Sequence, residues 1–395
     1  MQIIRVNQLE PGQILGRSLF SVDGNLLLAA WTTLDEHYIQ RIKQLGLPSV
    51  YIHVPGTEEA IPHEIISDQL HSLTHRTVYE AHQSIQNAIS YWKMPPNKMM
   101  MALDKGTEFD ALIDTEQLVG NVQSILDEIF EQNIETIDIL FVRSTNGFLV
   151  EHSLDVAVYT ILLGKEYGFP RKILLELGMA ALMHDVGKLA FHQLIEKTTD
   201  MISPEEQELM KEHPALSVKL LERSSDRYFQ ARTAILYHHE QQDGSGYPLG
   251  LRGTNSPPDL SDVKLRDRIY PLAELLAVTD NYDNYLFSPH AEPTPPSEAL
   301  SLIMDDSGNR LNKHIVRTWA RILNLFPPGS TVVIEQVSVD SLRAFIGFKG
   351  VVVNSQPGRL PQPVIVLIED NHGERIDPLK IDFSRDPNLQ IKLVL

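Results

Sequence analysis

The stretch that decides the fold is LELGMAALMHDVGKLAF, residues 175–191. Its apolar side chains recur on a helical period, densely enough for a helix buried in a core. His184 and Asp185 interrupt that core. Burying an imidazole and a carboxylate costs several kcal/mol unless they are paired or bind metal. Neighbours on a helix point about 100° apart, so both can border one cleft along its edge. Gly187 leaves room for another segment or a ligand to approach closely. Lys188, beside the pair, can donate to a phosphate or to a leaving oxygen.

Working outward, the same pattern repeats. His152 lies in FLVEHSLDVAVYTILLGKEYG, which predicts an amphipathic helix 32 residues upstream of His184. His213 lies in SPEEQELMKEHP, 28 residues beyond Asp185, where Ser203-Pro204-Glu205-Glu206 reads as a capping box with proline at the first helical position,. His238 and His239 end ARTAILYHHE and open HHEQQDGSGYPLGLRG (238–253), and Asp280 ends the apolar run YPLAELLAVTD. Each of these segments predicts a helix with a ligand-type residue in or at the end of an apolar run. A bundle that gathers such ends makes a metal centre ligated by oxygen and nitrogen.

Composition narrows the chemistry. The 395 residues include no cysteine, which excludes disulfides, thiolate catalysis, Cys-ligated zinc and iron–sulfur clusters,. The net charge of −18 argues against binding DNA, RNA or an anionic membrane,. No apolar run reaches the roughly 18 residues of a membrane helix, and MQIIRVNQLEPGQ lacks a signal peptide's apolar core, so a cytoplasmic location is expected. The expected fold class is mainly α. A helical bundle over 136–327 is flanked by a small α+β module (1–60), a helical connector (61–135) and a small β-domain (328–395). In the first module, QIIRV and SVYIHV read as strands and TLDEHYIQRIKQLGL as a helix closed by Gly46. MPPNKMMMALDKG separates two connector helices.

The order H…HD…H…HH…D, with HDVGK and HHEQQDGSGYPLGLRG, resembles the HD-GYP family, a branch of the HD-superfamily metal-dependent phosphohydrolases. The resemblance covers roughly residues 144–326. It implies hydrolysis of the bacterial second messenger cyclic di-GMP, to pGpG or on to GMP, at a site of two or three metals, usually iron or manganese. Carried over by position, the ligands are His152, His184, Asp185, His213, His238, His239 and Asp280, with Asp185 bridging two metals. Lys188 meets substrate phosphate, and Gly246, Tyr247 and Pro248 shape the substrate face.

The chain also departs from that pattern. An acid four residues before the first histidine supports a third metal in many members; here Phe148 stands there, and Glu151 points elsewhere on the helix. Two metals are therefore expected. A basic run usually follows the last aspartate, but this chain reads DNYDNYLFSPHAEPTPPSEA. Arg268 and Arg252 are the candidates to substitute, and Lys264, Arg266 and Arg268 are candidates for a basic rim near the GYP loop. Loss of the grip also motivates a second reading, a catalytically weak cyclic di-GMP receptor or a protein-interaction hub. His71 and His75 stand at i and i+4, but a solvated face is expected because no acid lies beside both. The N-terminal and connector regions are the expected place for a homodimer or protein-partner contact.

Overall fold

The computed structural model describes residues 1–20, 25–45, 47, 49–60, 65–92, 112–138, 148–191, 194, 197, 201–224, 227–261, 267–288, 293–355 and 363–394. The expected Gly46 helix stop, the segment 94–106, Lys264 and Arg266 lie outside the described residues.

The N-terminal module contains β1 (Gln2–Arg5), β2 (Ile14–Leu15), β3 (Leu19–Phe20), β4 (Leu26–Leu28), α1 (Glu36–Gln44) and β5 (Ser49–His53). β5 lies between β1 and β2, antiparallel to both, with Gln2 opposite Ile52 and Ile14 opposite His53. The Asp35 carboxylate starts α1 by accepting from the Tyr38 amide at 2.7 Å,. Ile39 and Ile42 on the helix share a core with Leu15, Leu34 and Val50.

The connector supplies α2 (Asp68–Trp92) and α3 (Thr115–Glu131), the latter capped by Asp114 accepting from Gln117 N at 3.0 Å. The bundle follows as α4 (Phe148–Glu166), α5 (Arg171–Met183), α6 (Pro204–Met210), α7 (His213–Ser224), α8 (Phe229–Tyr237), α9 (Pro271–Leu286), α10 (Pro296–Asp305) and α11 (Lys313–Ile322). Val78, Ile85 and Val122 of the connector join Leu154, Ile161, Leu177, Leu275 and Trp319 in one core. Connector and bundle are thus packed as one body, and no helix among the described residues is long and apolar enough to cross a membrane.

Four helices differ from expectation. α4 is buried on nearly every side rather than amphipathic, because α2, α5, α9 and α11 all pack on it. α5 stops at Met183, and Val186–Phe191 is a 3-10 turn, so the expected helix over 175–191 breaks at the His184–Asp185 pair. The cause is Ser217 on α7, whose hydroxyl donates to the His184 carbonyl at 2.7 Å and accepts from the Gly187 amide at 2.8 Å. The segment expected as one helix around 203–214 also divides. The capping box of Ser203 and Glu206 starts α6, and His213 opens α7. Asp280 does not end its helix; α9 runs on to Leu286.

The C-terminal domain is a five-stranded antiparallel sheet of β8 (Thr331–Gln336), β9 (Lys349–Asn354), β10 (Val364–Glu369), β11 (Arg375–Asp382) and β12 (Gln390–Leu393), in the order β11-β10-β9-β8-β12. A short parallel pair, β6 (Ile137–Asp138) with β7 (Leu323–Asn324), ties the start of the bundle to its end. β11 carries no strand signature, because most of its side chains face solvent and Pro378 stands within it,. The terminal modules meet. Ile3 N donates to Gly329 O at 3.1 Å, and Ala60 is buried among Val351, Val353 and Val366. The fold is mainly α, with small β regions at both ends.

Candidate metal centre

Six helical segments converge on the polar cluster. α4 brings His152, the end of α5 brings His184 and Asp185, the start of α7 brings His213, the end of α8 brings His238 and His239, and α9 brings Asp280. Lys188 enters from the 3-10 turn. All seven expected ligands come together in two overlapping sets. His152, His184, Asp185 and Asp280 form one, and Asp185, His213, His238 and His239 form the other; within each set the ligand atoms lie within 4.8 Å of one another. Asp185 belongs to both. Its Oδ2 is 3.5 Å from the Nε2 atoms of His152 and His184, while its Oδ1 is 3.2 Å from His213 Nε2.

The imidazoles are aimed by their other nitrogens. Nδ1 of His184, His213 and His238 lies 2.7, 2.7 and 2.6 Å from the carbonyls of Ala181, Met210 and Ile235, each three residues back. His152 Nδ1 lies 2.6 Å from Asp283 Oδ2. These contacts make Nδ1 a donor and turn Nε2 toward the centre, and against its burial the carboxylates of Asp185, Asp280 and Asp283 raise the pKa of His152,. His238 Nε2 is fully buried with no hydrogen-bond partner among the described residues, an orphan acceptor of the kind a cation would satisfy. Burial and the neighbouring His184 push His238 down to about 3, and burial with His238 and His213 also lowers His239. Asp185 stays ionised because His184 and Lys188 outweigh its burial, and the His152 and His184 contacts do the same for Asp280. Neutral His238 and His239 beside the ionised Asp185 and Asp280, with no sulfur in the cluster, fit a divalent metal ion of intermediate hardness,.

Gly187 makes the close approach that its sequence position suggested. A Cβ there would fall 2.2 Å from the His213 carbonyl oxygen and 2.8 Å from Ser217 N. Lys188 Nζ reaches Asp185 Oδ2 at 2.5 Å. Tyr247 stacks on His239, with ring centroids 4.8 Å apart and planes at 24°. Burial, then the charges of Asp185 and Asp280, push its hydroxyl pKa up. Gly246 lies against the backbone of His239 and Gln241, where a Cβ would come within 2.4 Å. Pro248 follows Tyr247 in the same turn through a cis peptide.

The rest of the loop is pinned rather than reactive. Glu240 accepts from the amides of Leu249 and Leu251, both at 2.7 Å. Gln242 donates to Glu274 at 2.5 Å and accepts from Asn255 N at 2.9 Å. Glu274 also accepts from Asn312 at 3.1 Å, and burial raises its carboxyl to about 7.

Other placements were not legible. Arg268 is exposed, and its backbone bridges to Arg252 rather than to the ligand cluster. Phe148 lies parallel to the His152 ring at 6.0 Å. The solvated face expected for His71 and His75 is overturned. Glu151 Oε2 is 3.5 Å from His71 Nε2, and its Oε1 is 3.4 Å from His75 Nε2. α2 lies along α4, so Glu151 points away from the metal cluster and into the connector. Asp283 carries no expectation from the sequence, although it stands three residues after Asp280 on one helix face,. Lys211 was missed; its ammonium lies 5.8 Å from the centre of the Tyr247 ring.

Comparison with known proteins agrees with this geometry. Residues 149–285 match the family model described as HD domain. A cyclic di-GMP phosphodiesterase of Thermotoga maritima is 31% identical over 163 residues, covering 40% of each protein. The cyclic di-GMP phosphodiesterase response regulator RpfG of Xanthomonas campestris is 30% identical over 162 residues, 40% of this chain and 39% of that protein. A 3′3′-cGAMP-specific phosphodiesterase 3 of Vibrio cholerae is 26% identical over 203 residues, 51% of this chain and 41% of that protein. The chain thus spans about two-fifths of the length of these relatives. The part of the chain that is similar to HD domains, residues 149–285, thus contains both the HDVGK and the DGSGYP motifs.

Proposed function

We propose that the protein is a phosphodiesterase that hydrolyses cyclic di-GMP, to pGpG, GMP or both, at a centre of two divalent ions, iron or manganese. The observation that carries this is the sharing of Asp185, one oxygen toward each donor set. Bound there, two divalent ions would supply Lewis acidity toward a phosphate and lower the pKa of a water held between them. His152, His184 and Asp280 would hold one ion and His213, His238 and His239 the other, with Asp185 common to both. Phe148 offers no oxygen for a third. The relatives named as cyclic di-GMP phosphodiesterases support the substrate, and the relative named for 3′3′-cGAMP makes that dinucleotide the first competitor to test.

Hydrolysis adds water across one P–O3′ bond: oxygen goes to phosphorus and a proton to the leaving 3′ oxygen. Lys188, protonated beside Asp185, would neutralise the phosphate and stand within reach of that oxygen,. Tyr247 and the turn around it would close one side and keep bulk water out.

The absence of any Lys or Arg from Asn281 to Ala299 favours one alternative, a receptor that binds the dinucleotide with little turnover. Manganese- or iron-loaded protein incubated anaerobically with cyclic di-GMP, and separately with 3′3′-cGAMP, distinguishes the readings. Linear products that disappear in Asp185→Asn support the phosphodiesterase. Binding without product, at confirmed metal content, leaves the receptor.

A further inference from the structure

We propose that Lys211 is the second phosphate-binding cation of this site, replacing the basic run that the chain lacks after Asp280. This rests on the cyclic dinucleotide reading above. Such a ligand carries two phosphodiesters, each with one negative charge. The metal ligands and Lys188 account for the one being cleaved. The other needs a cation of its own, and a chain of net charge −18 does not supply one by its general field,.

Lys211 is the C-cap of α6, two residues before the expected ligand His213. Its ammonium lies over the Tyr247 ring at 5.8 Å, and that ring is stacked on His239. The order His239, Tyr247, Lys211 therefore runs outward from the metal cluster to the rim. The lysine is accessible, with 42% of its side chain exposed. Its ion pair with Glu208 is an i,i+3 surface pair whose acid is 71% exposed, and such pairs contribute little. A phosphate can displace Glu208 at small cost, while the aromatic face keeps the ammonium on station.

Among the described residues, the other basic groups near the loop are less suited. Lys188 is bound to Asp185, and Arg310 pairs with Asp306. Arg252 packs against Gly244, and its backbone pairs with Asp243 and Arg268. Lys211 was invisible in the sequence because its partner Tyr247 lies 36 positions downstream.

The test compares wild type, Lys211→Met and Lys211→Arg, all manganese-loaded, on cyclic di-GMP and on bis(p-nitrophenyl) phosphate, which has a single phosphate. A charge-assisted contact is worth about 1.5–3 kcal/mol, or roughly 10- to 150-fold. Lys211→Met should raise KM for cyclic di-GMP by at least about tenfold, with the loss in KM rather than kcat, and lower the preference for cyclic di-GMP over the small diester by the same factor. Lys211→Arg should recover most of it. Equal losses on both substrates, or a KM for Lys211→Met within about twofold of wild type, overturn the assignment while leaving the phosphodiesterase reading intact. A wild type that cleaves the small diester but neither cyclic dinucleotide overturns both. If the wild type binds without turnover, the same comparison is made on Kd.

Discussion

Asp283 makes no contact of its own with the centre, yet it holds the ring that does. Its carboxylate, fully buried, accepts from His152 Nδ1 at 2.6 Å. Outer partners of this kind typically change metal affinity or activity by about 10–100-fold when removed. Asp283→Asn should therefore weaken metal binding by that factor, seen in chelator competition, while α9 stays folded by circular dichroism. An unchanged affinity would mean that His152 is oriented by packing alone. Glu274 acts at the same scale through protonation. Its buried carboxyl sits at about 7 instead of 4.5. Folding thus strengthens proton binding, so this stabilising share is whole below the unfolded value and is lost as pH climbs through 7. The shift corresponds to about 3 kcal/mol. Between about pH 5 and about pH 8, wild type should lose stability relative to Glu274→Gln by up to that amount in urea unfolding; parallel curves would refute it. Legibility at this scale divides by sequence distance. The seven clustered residues were readable because each interrupts or ends an apolar run. Asp283, Ser217 and Glu151 were not assigned, because their partners His152, His184 and His75 lie 131, 33 and 76 residues away.

Between elements, Glu151 is the joint. It precedes His152 on α4 and faces His71 and His75 on α2, so the connector touches the helix that carries the proposed ligand His152. His75 is only 4% exposed, and removing a buried partner of a carboxylate costs about 1–3 kcal/mol. His75→Ala should lower stability by that amount and speed amide exchange in α2 more than in α5. His75→Gln, which keeps a donor, should recover part of it. Exchange rising equally in both helices would show global loosening instead of a joint. The element boundaries that sequence periodicity misplaced have separate causes, a side-chain hydrogen bond at one and continued burial at another. Ser217 turns the chain after His184, so a continuous apolar pattern over 175–191 became a helix and a 3-10 turn. α9 passes Asp280 unbroken because Tyr282 and Leu286 continue its buried face. Capping signals fared better. Ser203 with Glu206 starts a helix where the local pattern places it, since both partners are within one turn,.

For the whole molecule, the mainly α body was readable from the density of apolar helical runs, and the terminal β regions from β-branched runs between turns. Their mutual docking was not, since Ile3 and Gly329 lie at opposite ends of the chain. That docking has a measurable cost when broken. Deleting residues 1–60 uncovers the valines around Ala60, so the shortened protein should scatter light and sediment as larger species at concentrations where the full chain does not. A monodisperse truncated protein would refute this. The position of β11 gives the contact a further meaning. It is the outermost strand of its sheet, and outer strands invite pairing with other chains. Pro378 removes one amide from that border, Gly56 lies so close that a Cβ would sit 2.5 Å from the proline side chain, and Lys380 pairs with Glu59 at 2.5 Å. The first sixty residues therefore cover this border, and a fusion or cut that shifts them would leave an outer strand and its neighbouring valines open to pairing with another chain.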